Sequence, residues 1–537
     1  MSVSRSRVHL NAVIVVFAVL ISLVVQVPIM ALADEARVGI VLSHLPPTNS
    51  KAYKALKALA GDATGEALEM TKSEMWSMPR DHLEEFRKAA SAKGVSITVL
   101  DDNWNHTFVS MPSDAAMSKQ QAGMMHSEMQ SKAAMAVTMM GLPKANVLEY
   151  ALTKGMNSKN DVEAASELVL PLNDHLTVKA RRTSIEKSSG SYVWHGVIDG
   201  TDDPVTLLWW PGGRLSGSIT YQGRIYAVKN FGGDVHGIIE LSPRGLPPEH
   251  APMSDTQKQK MNMREDPLVN QGDASMLSQK ARENLENLRD ATATAAKPPD
   301  TQVALNTPPA AHPAKVQEMT IITMIVAYTK AAASHYSDIE KDLILLAVEE
   351  ANQSFRNSGI QNVRLKLVHS YKTAYVEQGG HFDHVSHFAD KGDGQMEEIH
   401  ALRDKYHADV ALLVVHDPIG CGLAAGVAVA ADRAFAVVHH ECAANTYSLA
   451  HEVGHLIGAR HDAAIDNSKA PFLFGHGFVN GNKWRTMMSY EESCNKCPRL
   501  PVWSNPDITI RGEAAGSELS NNARVIREQA KRVSDFR

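Results

Sequence analysis

The sequence predicts an α/β chain of the α+β type, with mixed helix and strand segments at both ends and a run of short antiparallel strands between them. Three observations predict this class. The chain has 537 residues, more than the roughly 250 to 300 at which one hydrophobic core usually stops growing, so two or three domains are expected. Hydrophobic residues make up 44% and charged residues 21%, which is a globular composition. The spacing of apolar residues changes along the chain between helical and strand periods.

The N-terminus predicts a cleavable secretory signal at residues 1–33. Two arginines precede a charge-free run, Val8–Ala33, that ends in the small-residue pattern A-L-A. A retained membrane anchor is the alternative, since about 20 apolar residues can span a bilayer. Pro28 and the A-L-A end favour cleavage. We therefore expect a secreted or periplasmic protein that begins at Asp34 and keeps no stable membrane anchor.

The first half of the mature chain predicts two structural parts. At 34–180 we expect a small α/β unit followed by helical segments, because the helix DHLEEFRKAASAKG lies between the strands RVGIVLSHL and SITVLDD. At 181–290 we expect an antiparallel meander that leads into a solvated Lys/Glu-rich helix, Thr256–Arg289. Its strands are SYVWHGVI, VTLLWW, RLSGSITY, RIYAVK and VHGIIEL. Residues 291–315, rich in Ala, Pro and Thr, predict a linker.

The second half, residues 316–537, predicts an α/β domain. MTIITMIVAY reads as a buried strand, and SDIEKDLILLAVEEANQSFRNSG as an amphipathic helix that ends at Gly359. VRLKLVHSY predicts a second strand and EEIHALRDKYH a second helix. ADVALLVVH has the continuous apolar run of a central strand. Strands interleaved with helices in this order indicate an α/β arrangement.

Seven methionines lie between Met117 and Met140, together with His126. In an exported protein these thioethers could bind copper. The spacings Met125/Met129 and Met135/Met139 are also those of a helix that packs its apolar face, and this interpretation is the one we favour.

The segment HFDHVSHF places His381, His384 and His387 at steps of three. A second metal site is conceivable there. An exposed polar loop or helix edge is the interpretation that we favour.

The net charge of -6 argues against a nucleic-acid partner, because phosphate binding needs a clustered basic surface. All four cysteines lie in the last third of the chain: Cys421, Cys442, Cys494 and Cys497. An even number in an exported chain suggests disulfides, and of three possible pairings we prefer 421 with 442 and 494 with 497. A four-cysteine zinc site is the alternative, but it would need a second closely spaced pair.

The stretch HEVGHLIGARHD carries the strongest chemical signal. On a helix capped by Asn445, His451 and His455 lie one turn apart on the same face and can reach one ion. Glu452 stands beside them, where a general base must be. Gly458 lets the chain leave the helix, so that His461 can return as a third ligand.

Three neutral imidazoles with one open coordination position are the ligands of a catalytic zinc ion. Zinc lowers the pKa of its bound water to about 7, and Glu452 can accept the proton and pass it to a leaving amine. Downstream, RTMMSY predicts a methionine turn that places Met488 beneath the metal. The sequence thus predicts one catalytic Zn²⁺ and the hydrolysis of an amide, and a histidine-rich structural helix is the weaker interpretation.

The residues from His451 to His461, with Met488, resemble the metzincin zinc endopeptidases. Asp462, directly after the third histidine, is similar to the reprolysin (adamalysin) branch. The runs GHGFVN, WRTMMSY, CPRLPVWSNP and NNARVIREQAKRVSDFR resemble exported bacterial reprolysin-like proteases. The resemblance covers roughly residues 316–537. It implies a metzincin catalytic domain with a mixed twisted sheet and an active-site helix.

The resemblance also implies a role for each matching residue. Zinc would be held by the three histidines, the general acid and base would be Glu452, and Met488 would form the methionine turn. Tyr490 matches a tyrosine that some metzincin branches use as an extra zinc ligand or to stabilise the oxyanion, although the reprolysin branch usually lacks it. A stacked wall residue is the alternative for Tyr490. Asp462 is expected to accept hydrogen bonds near the ligands rather than to bind the metal.

The first half resembles a reprolysin-type pro-region through VWHGVI, PGGRLSGSI, YAVKNFGGDVHGIIEL and the following PPE. Such pro-regions often hold the zinc with a cysteine, yet no cysteine precedes Cys421. Latency would therefore need another ligand, or a pro-region that covers the cleft.

The sequence favours a secreted zinc endopeptidase whose partners are a protein or peptide substrate and its own pro-region. The substrate would lie as an extended strand along an edge strand near Ala424–Ala430. Two alternatives stay open: an exported non-catalytic zinc-containing binding or adhesion protein, and a copper-handling protein that uses the Met-rich segment. Glu452 argues against the first, because a structural zinc site has no use for a carboxylate that binds no metal.

Overall fold

The computed structural model describes residues 37–61, 63–100, 109–110, 117–142, 144–154, 166–188, 190–249, 257, 318–466 and 468–537. The predicted signal at 1–33 and linker at 291–315 lie outside these ranges, as does the predicted helix Thr256–Arg289 apart from Gln257. The chain divides into two compact units, Met1–Trp104 and Asn105–Arg537. No helix in the described part of the chain has the length and apolar character needed to cross a membrane.

The first unit is a four-stranded sheet with two helices, which contains the two predicted strands and the predicted helix and adds two strands and one helix to them. Its elements are β1 Arg37–Ser43, α1 Lys51–Leu59, β2 Thr64–Leu68, β3 Ser73–Pro79, α2 Leu83–Ser91 and β4 Ser96–Leu100. The strand order is β2-β3-β1-β4, and β1 pairs antiparallel with β3 and with β4. Leu56 of α1 and Phe86 of α2 bury their side chains in one core with Trp76.

The second unit begins with a nine-stranded antiparallel sheet in the order β5-β6-β13-β12-β11-β10-β9-β8-β7. Its elements are β5 Val109–Ser110, α3 Lys119–Gln130, β6 Ala134–Gly141, α4 Ala145–Thr153, β7 Glu167–Asn173, β8 Leu176–Ser188, β9 Ser191–Ile198, β10 Pro204–Trp210, β11 Arg214–Tyr221, β12 Arg224–Gly232 and β13 Val235–Leu241. The predicted meander is confirmed as β9 to β13, in which consecutive strands pair.

The structure differs from the predicted division after residue 180, which falls inside β8. Strands β5 and β6 continue the sheet at one edge of the meander, and β8 and β7 continue it at the other edge. The segment expected to be helical therefore contributes four strands. The apolar run ELVLPLN of β7 illustrates the reason, since a short continuous apolar run does not distinguish a strand from a buried helix.

The Met-rich segment is only half helical. Met125 and Met129 lie on α3, whereas Met135 and Met139 lie on strand β6, so the helix predicted for the second pair is wrong. Met139 is buried in a small core that Met124 and Met125 cover, while Met129 and Met135 are 62% and 63% exposed. Apolar packing thus accounts for several of these side chains.

The C-terminal part is built on a five-stranded sheet in the order β15-β14-β16-β18-β17. Its elements are β14 Thr320–Tyr328, α5 Lys330–Ala333, a π-helical turn Glu340–Ile344, α6 Leu345–Asn357, β15 Val363–Lys372, α7 His381–Ala389, α8 Glu398–Tyr406, β16 Val410–Val415, β17 Gly422–Ala424, β18 Phe435–His439, α9 His440–Ala443, α10 Ser448–Ile457, the hairpins β19 Val479–Asn480 with β20 Trp484–Arg485 and β21 Asn505–Ile510 with β22 Glu513–Ala515, and α11 Asn522–Val533.

Four strands of this sheet are parallel, and the edge strand β17 runs antiparallel to β18. The predicted central strand is β16, which is buried along its whole length. The amphipathic helix is α6 with the π-helical turn before it, and Gly359 follows it with a positive φ of 73°. The prediction of an α/β domain is therefore confirmed.

The nine-stranded sheet packs against the C-terminal part. Val193 and Leu208 belong to the same hydrophobic core as residues of α6 and α10. Arg214 of β11 forms a salt bridge with Asp342 of the π-helical turn, with an Nη1 to Oδ1 distance of 2.6 Å. His195 of β9 lies 3.2 Å from the carboxylate of Glu349 on α6.

Two of the three histidines of HFDHVSHF are buried, so the prediction of an exposed polar edge is wrong for them, whereas the His387 side chain is 39% exposed. The segment is helix α7, and His381 and His384 are only 1% and 0% exposed. Their rings are accommodated by hydrogen bonds, His384 Nδ1 to the Tyr375 hydroxyl at 2.9 Å and His381 Nε2 to the Asp417 carbonyl at 3.1 Å. Buried imidazoles are tolerated when such partners exist.

Candidate active site

Helix α10 carries the first two histidines of the motif. It begins at Ser448, after Tyr447 in the left-handed region at φ 65°, so the predicted cap at Asn445 is wrong. Asn445 itself has a φ of 61° and donates its backbone N–H to the Glu350 carboxylate at 2.8 Å. The chain therefore enters the helix through a tight turn held by a buried acid.

The helix ends at Gly458, as predicted. This glycine has a φ of 135°, which side chains rarely adopt, and a Cβ there would lie 2.9 Å from the ring of Phe472. The chain turns sharply at this position and brings His461 back toward the helix. Gly458 thus allows the third histidine of the motif to reach the first two.

The three predicted ligands converge. The Nε2 atom of His461 lies 2.8 Å from that of His455 and 3.2 Å from that of His451. The Nδ1 atoms of the two helical histidines point away from this centre, to the Met487 carbonyl at 3.1 Å and to the Ala459 carbonyl at 2.9 Å. These bonds orient both rings so that their Nε2 lone pairs face the centre.

Burial also keeps the two helical imidazoles neutral. It lowers the pKa of His455 from 6.5 to about 4, and it is the largest of the causes that lower the pKa of His451 well below its usual value. Three imidazole nitrogens that face one point form the donor set of a zinc ion in a tetrahedral site with one position for solvent or substrate. The residues therefore fit the metal that the sequence implies.

The side chains of Trp503 and Met488 pack against one side of helix α10. A Cβ built on Gly454, between the two helical histidines, would lie 2.6 Å from the ring of Trp503 and 3.1 Å from the sulfur of Met488. Glycine at this position lets both side chains approach the helix backbone. Met488 is fully buried against this side of the helix, and its place beneath a metal ion stays a prediction.

Glu452 points toward the edge strand β17. Its carboxylate lies against Gly422, so close that a Cβ on this glycine would collide with it, and it accepts a hydrogen bond from the backbone of Ala424. Burial raises the pKa of Glu452 from 4.5 to about 8. The carboxylate is thereby suited to exchange protons near neutral pH.

Tyr490 and Asp462 also lie at the site. The Tyr490 hydroxyl is 2.8 Å from His461 Nε2, which places it at the centre of the three histidines rather than along a wall. Asp462 accepts hydrogen bonds from the Tyr490 backbone N–H at 3.1 Å and from the Ser493 hydroxyl at 2.7 Å. Its contacts are those of the predicted hydrogen-bond acceptor.

The edge strand lies earlier in the chain than predicted. It is Gly422–Ala424, whereas residues of the predicted Ala424–Ala430 segment turn away and bond to the catalytic helix. The N–H of Ala428 donates to the His455 carbonyl at 2.9 Å, and that of Val429 to the Leu456 carbonyl at 3.2 Å. Bonds to the end of α10 replace strand pairing there.

Both predicted disulfides are present, Cys421–Cys442 and Cys494–Cys497. The first joins the residue before β17 to helix α9, and the second closes the loop after Tyr490. All four cysteines are used in these bonds, which excludes the alternative of a four-cysteine zinc site.

A pair of arginines beside the site was missed by the sequence reasoning. Arg485 is buried, and the side chain of the half-buried Arg499 is only 8% exposed. The Nη2 atoms of the two arginines lie 2.6 and 2.9 Å from the same oxygen of Glu249. The Glu491 N–H donates to the other oxygen at 3.1 Å. The sequence indicates this ion-pair group only weakly, because Glu249 precedes Arg485 by 236 residues.

The segment that carries Glu249 also touches the edge strand. The Pro248 carbonyl accepts a hydrogen bond from the Cys421 N–H at 2.7 Å, directly before β17. The chain after β13 thus runs past the edge strand and places a carboxylate on the arginine pair. Arg485 is further held by its bonds to the carbonyls of Cys497 at 3.0 Å and Ser489 at 2.6 Å.

Metalloendopeptidases of the metzincin class combine this sheet, helix and histidine arrangement, and the comparisons with known proteins place the chain in that class. Residues 318–504 match the family described as Reprolysin_5, Metallo-peptidase family M12. The chain is 33% identical over 390 residues to a peptidyl-Asp metalloendopeptidase of Xanthomonas campestris, an alignment that covers 70% of this chain and 83% of the relative.

A peptidyl-Asp metalloendopeptidase of Stenotrophomonas maltophilia is 31% identical over 380 residues, covering 67% of this chain and 81% of that protein. This chain belongs to the same family of reprolysin-like bacterial metalloendopeptidases. Among solved structures, metalloproteinase-II from Bacteroides fragilis is 12% identical with a TM-score of 0.32, over 66% of this chain and 91% of that one.

Proposed function

We propose that this metalloendopeptidase is an exported zinc enzyme, made with an N-terminal pro-region, that cleaves peptide bonds beside acidic residues. The convergence of His451, His455 and His461 next to the buried carboxylate of Glu452 is the observation that carries the proposal. These histidines would hold a zinc ion, which would supply Lewis acidity and lower the pKa of a bound water to about 7.

Glu452 is the general base and then the general acid. Its carboxylate accepts the proton of the attacking water and delivers it to the leaving amine. The hydrogen bond from the Ala424 backbone and the contact with Gly422 hold the carboxylate in one orientation. The Tyr490 hydroxyl donates a hydrogen bond to the substrate carbonyl oxygen as negative charge develops on it.

The substrate backbone is an added strand along β17. This strand is the last of its sheet, and the Glu452 carboxylate lies against it. A peptide that pairs with an edge strand is held in register by main-chain hydrogen bonds, so its scissile carbonyl is presented at a fixed position.

Arg485 and Arg499 select an acidic side chain of the substrate. Two buried guanidinium groups beside each other are unfavourable unless an anion lies between them, and the pKa of Arg485 is lowered by burial and then by Arg499. In this structure Glu249 supplies that anion. The relatives are named peptidyl-Asp metalloendopeptidases, which agrees with a site for an aspartate side chain.

The nine-stranded sheet belongs to a pro-region, and the carboxylate of Glu249, which follows the last strand of this sheet in the sequence, blocks the active site. Glu249 occupies the arginine pair, and Pro248 takes the Cys421 N–H at the start of the substrate strand. A pro-region without a cysteine thereby occupies both the site proposed for an acidic substrate side chain and the start of the strand along which the substrate backbone would lie. Cleavage in the segment after residue 249 would release it.

The catalytic assignment is tested by Glu452→Gln in the full chain after its pro-region has been cleaved by an added protease. Glu492→Gln, at an exposed glutamate two residues after Tyr490, is the control. We expect kcat/KM on a peptide substrate to fall about 10²- to 10⁴-fold for the first variant, the usual contribution of a general base. Zinc content should stay the same in both. Equal activity of Glu452→Gln and its parent would remove Glu452 from the mechanism.

The specificity assignment is tested with two peptides that differ only in one Asp or Asn. Arg499→Gln should lower kcat/KM for the Asp peptide about 10- to 100-fold, because a hydrogen bond to a charged group contributes roughly 1.5 to 3 kcal/mol. Activity on the Asn peptide should change little. Arg524→Gln, on the exposed face of α11, is the matched control. A parent enzyme that does not distinguish the two peptides contradicts the acidic specificity alone.

The latency assignment is tested by Glu249→Gln in the full chain. The amide keeps the size of the side chain but loses its charge, so the uncleaved variant should show peptidase activity that the uncleaved parent lacks. Glu186→Gln is a matched control, since Glu186 of the same sheet pairs with Arg356 and Arg364 on the C-terminal part. If both variants behave alike, docking of the sheet rather than occupation of the arginine pair causes latency.

A further inference from the structure

A second group of three histidines lies outside the catalytic centre. His335 follows β14 and helix α5, His416 comes directly after β16, and His440 comes directly after β18. These three strands are parallel neighbours in the order β14-β16-β18, so their carboxyl ends meet at one edge of the sheet. Ligand sites in such sheets lie outside the carboxyl ends of the strands.

The three rings are arranged for a common ligand. One nitrogen of each histidine lies within 4.8 Å of the other two. His416 Nδ1 is 2.9 Å from His440 Nε2. The ring centroids are 4.5, 4.5 and 5.0 Å apart, which compares with 4.8, 5.2 and 4.5 Å among the catalytic histidines. The ring-to-ring distances in the two groups are thus similar.

A hydrogen-bond partner orients His440 in the way the catalytic rings are oriented. Its Nδ1 is 3.1 Å from the Tyr336 hydroxyl, which itself donates to the His440 carbonyl at 3.1 Å. Since that hydroxyl proton is used on the carbonyl, the hydroxyl oxygen accepts the Nδ1 proton. The Nε2 lone pair of His440 therefore faces His416, and such a partner is usual behind metal-binding histidines.

The surroundings favour neutral imidazoles. Burial, followed by the neighbouring His439, His335 and Lys229, lowers the pKa of His440 well below its usual value. Burial is also the largest cause that lowers the pKa of His335, while Glu128 and Glu441 act in the opposite direction. Neutral imidazoles are the form that binds metal.

We propose that His335, His416 and His440 form a second metal site, which binds one divalent transition ion of the kind that imidazole prefers, such as Zn²⁺. The site shares no ligand with the catalytic centre. An ion there would join the ends of three strands, and its exposed side at His416 would leave a position for water. Its role is to stabilise the sheet edge from which α9 leads to the catalytic helix.

Zinc stoichiometry of the full chain tests this site, in the Glu452→Gln background so that self-cleavage does not occur. The chain is stripped with a chelator, dialysed against buffered Zn²⁺ and measured by elemental analysis. We expect two zinc ions per chain. His416→Gln and His335→Gln should each leave one, and His461→Gln should also leave one, whereas His416→Gln combined with His461→Gln should leave none.

His387→Gln is the matched control, because this histidine is exposed and pairs with Asp393 outside both groups. It should keep two ions. His416 is also exposed, so its replacement is not expected to prevent folding, and circular dichroism checks this. One ion per parent chain, lost in His461→Gln and kept in His416→Gln, overturns the second site while leaving the catalytic one. Two ions that both survive His416→Gln overturn it as well.

Discussion

At the scale of single residues, the chemistry depends on how closely the backbone approaches the Glu452 side chain. Gly422 has no Cβ, and this allows the carboxylate to lie against the edge strand and to accept the Ala424 hydrogen bond. The Glu452 carboxylate, which we propose as the general base, is thereby held beside strand β17. A glycine is thus required here for the space it leaves, not for its backbone angles.

Gly422→Ala should displace the Glu452 carboxylate and lower kcat. A change of about 1 Å in the position of a catalytic group can cost roughly 10²-fold in rate. Zinc content should not change, because the three histidines are untouched. Steady-state kinetics with metal analysis provides the measurement, and an undiminished kcat would show that the carboxylate has room to adjust.

Glu350 gives the protein a pH-dependent stability. Burial raises its pKa from 4.5 to about 8, against the smaller effects of hydrogen bonds from Asn445 and Ser218. The folded chain retains this proton where the unfolded chain has released it, so the contribution of Glu350 to stability is lost as the pH rises from about 4.5 to about 8.

Glu350→Gln should therefore raise the free energy of unfolding at pH 8 and leave it nearly unchanged at pH 4.5. The gain should be about 1 to 3 kcal/mol, the cost of a poorly satisfied buried polar group. Denaturant titrations at the two pH values measure it. A gain of the same size at both values would mean that ionisation of Glu350 is not the cause.

At the scale of elements, helix α10 positions His451, His455 and Glu452, and it can pack closely against its neighbours because Gly454 has no side chain. The ring of Trp503 and the sulfur of Met488 fill that space. The helix then ends, and the chain changes direction at Gly458, where φ is 135°. Both glycines of the motif thus serve the placement of the histidines.

Gly454→Ala should destabilise the chain even though alanine favours helices. The added methyl group would collide with Trp503, and overpacking of this kind costs roughly 1 to 3 kcal/mol. Gly123→Ala is the control, because Gly123 lies within helix α3 with open space around its Cα and should gain about 0.5 to 1 kcal/mol. Thermal unfolding of both variants should show opposite signs.

At the scale of the second unit, the nine-stranded sheet and the C-terminal part share one hydrophobic core. Leu208 and Val193 come from the sheet, while Leu346 and Val453 come from α6 and the catalytic helix. The salt bridge between Arg214 and Asp342 adds a polar contact between the same two parts. In the uncleaved chain, the stability of the active site therefore depends on residues more than a hundred positions earlier in the sequence.

Leu208→Ala should lower the stability of the C-terminal part as well as that of the sheet. Removing a buried leucine side chain usually costs 2 to 5 kcal/mol. Release of bound zinc during denaturant titration reports the C-terminal part, and its midpoint should move to lower denaturant. Met135→Ala, 63% exposed on the same sheet, should not move it. An unchanged midpoint in Leu208→Ala would mean that the two parts unfold separately.

Much of the fold could be predicted, because local patterns report it. The meander from β9 to β13 followed from alternating residues and glycine turns, and β16 from its continuous apolar run. The helical prediction for Met135–Met139 and the exposed prediction for His381 and His384 were wrong. Burial of a histidine, or pairing of β6 with β13, depends on residues that are distant in the sequence.

The sequence by itself determined the helix with its two histidines, the glycine exit, the returning His461 and the disulfide pairs, since each depends on residues a few to some twenty positions apart. Only the tertiary structure decided which side chains face the site from elsewhere. Glu249 on Arg485 and Arg499, the Tyr490 hydroxyl at His461 and the group formed by His335, His416 and His440 join distant segments. The physical reason is that these contacts arise when strands and helices pack, and no local spacing in the chain records them.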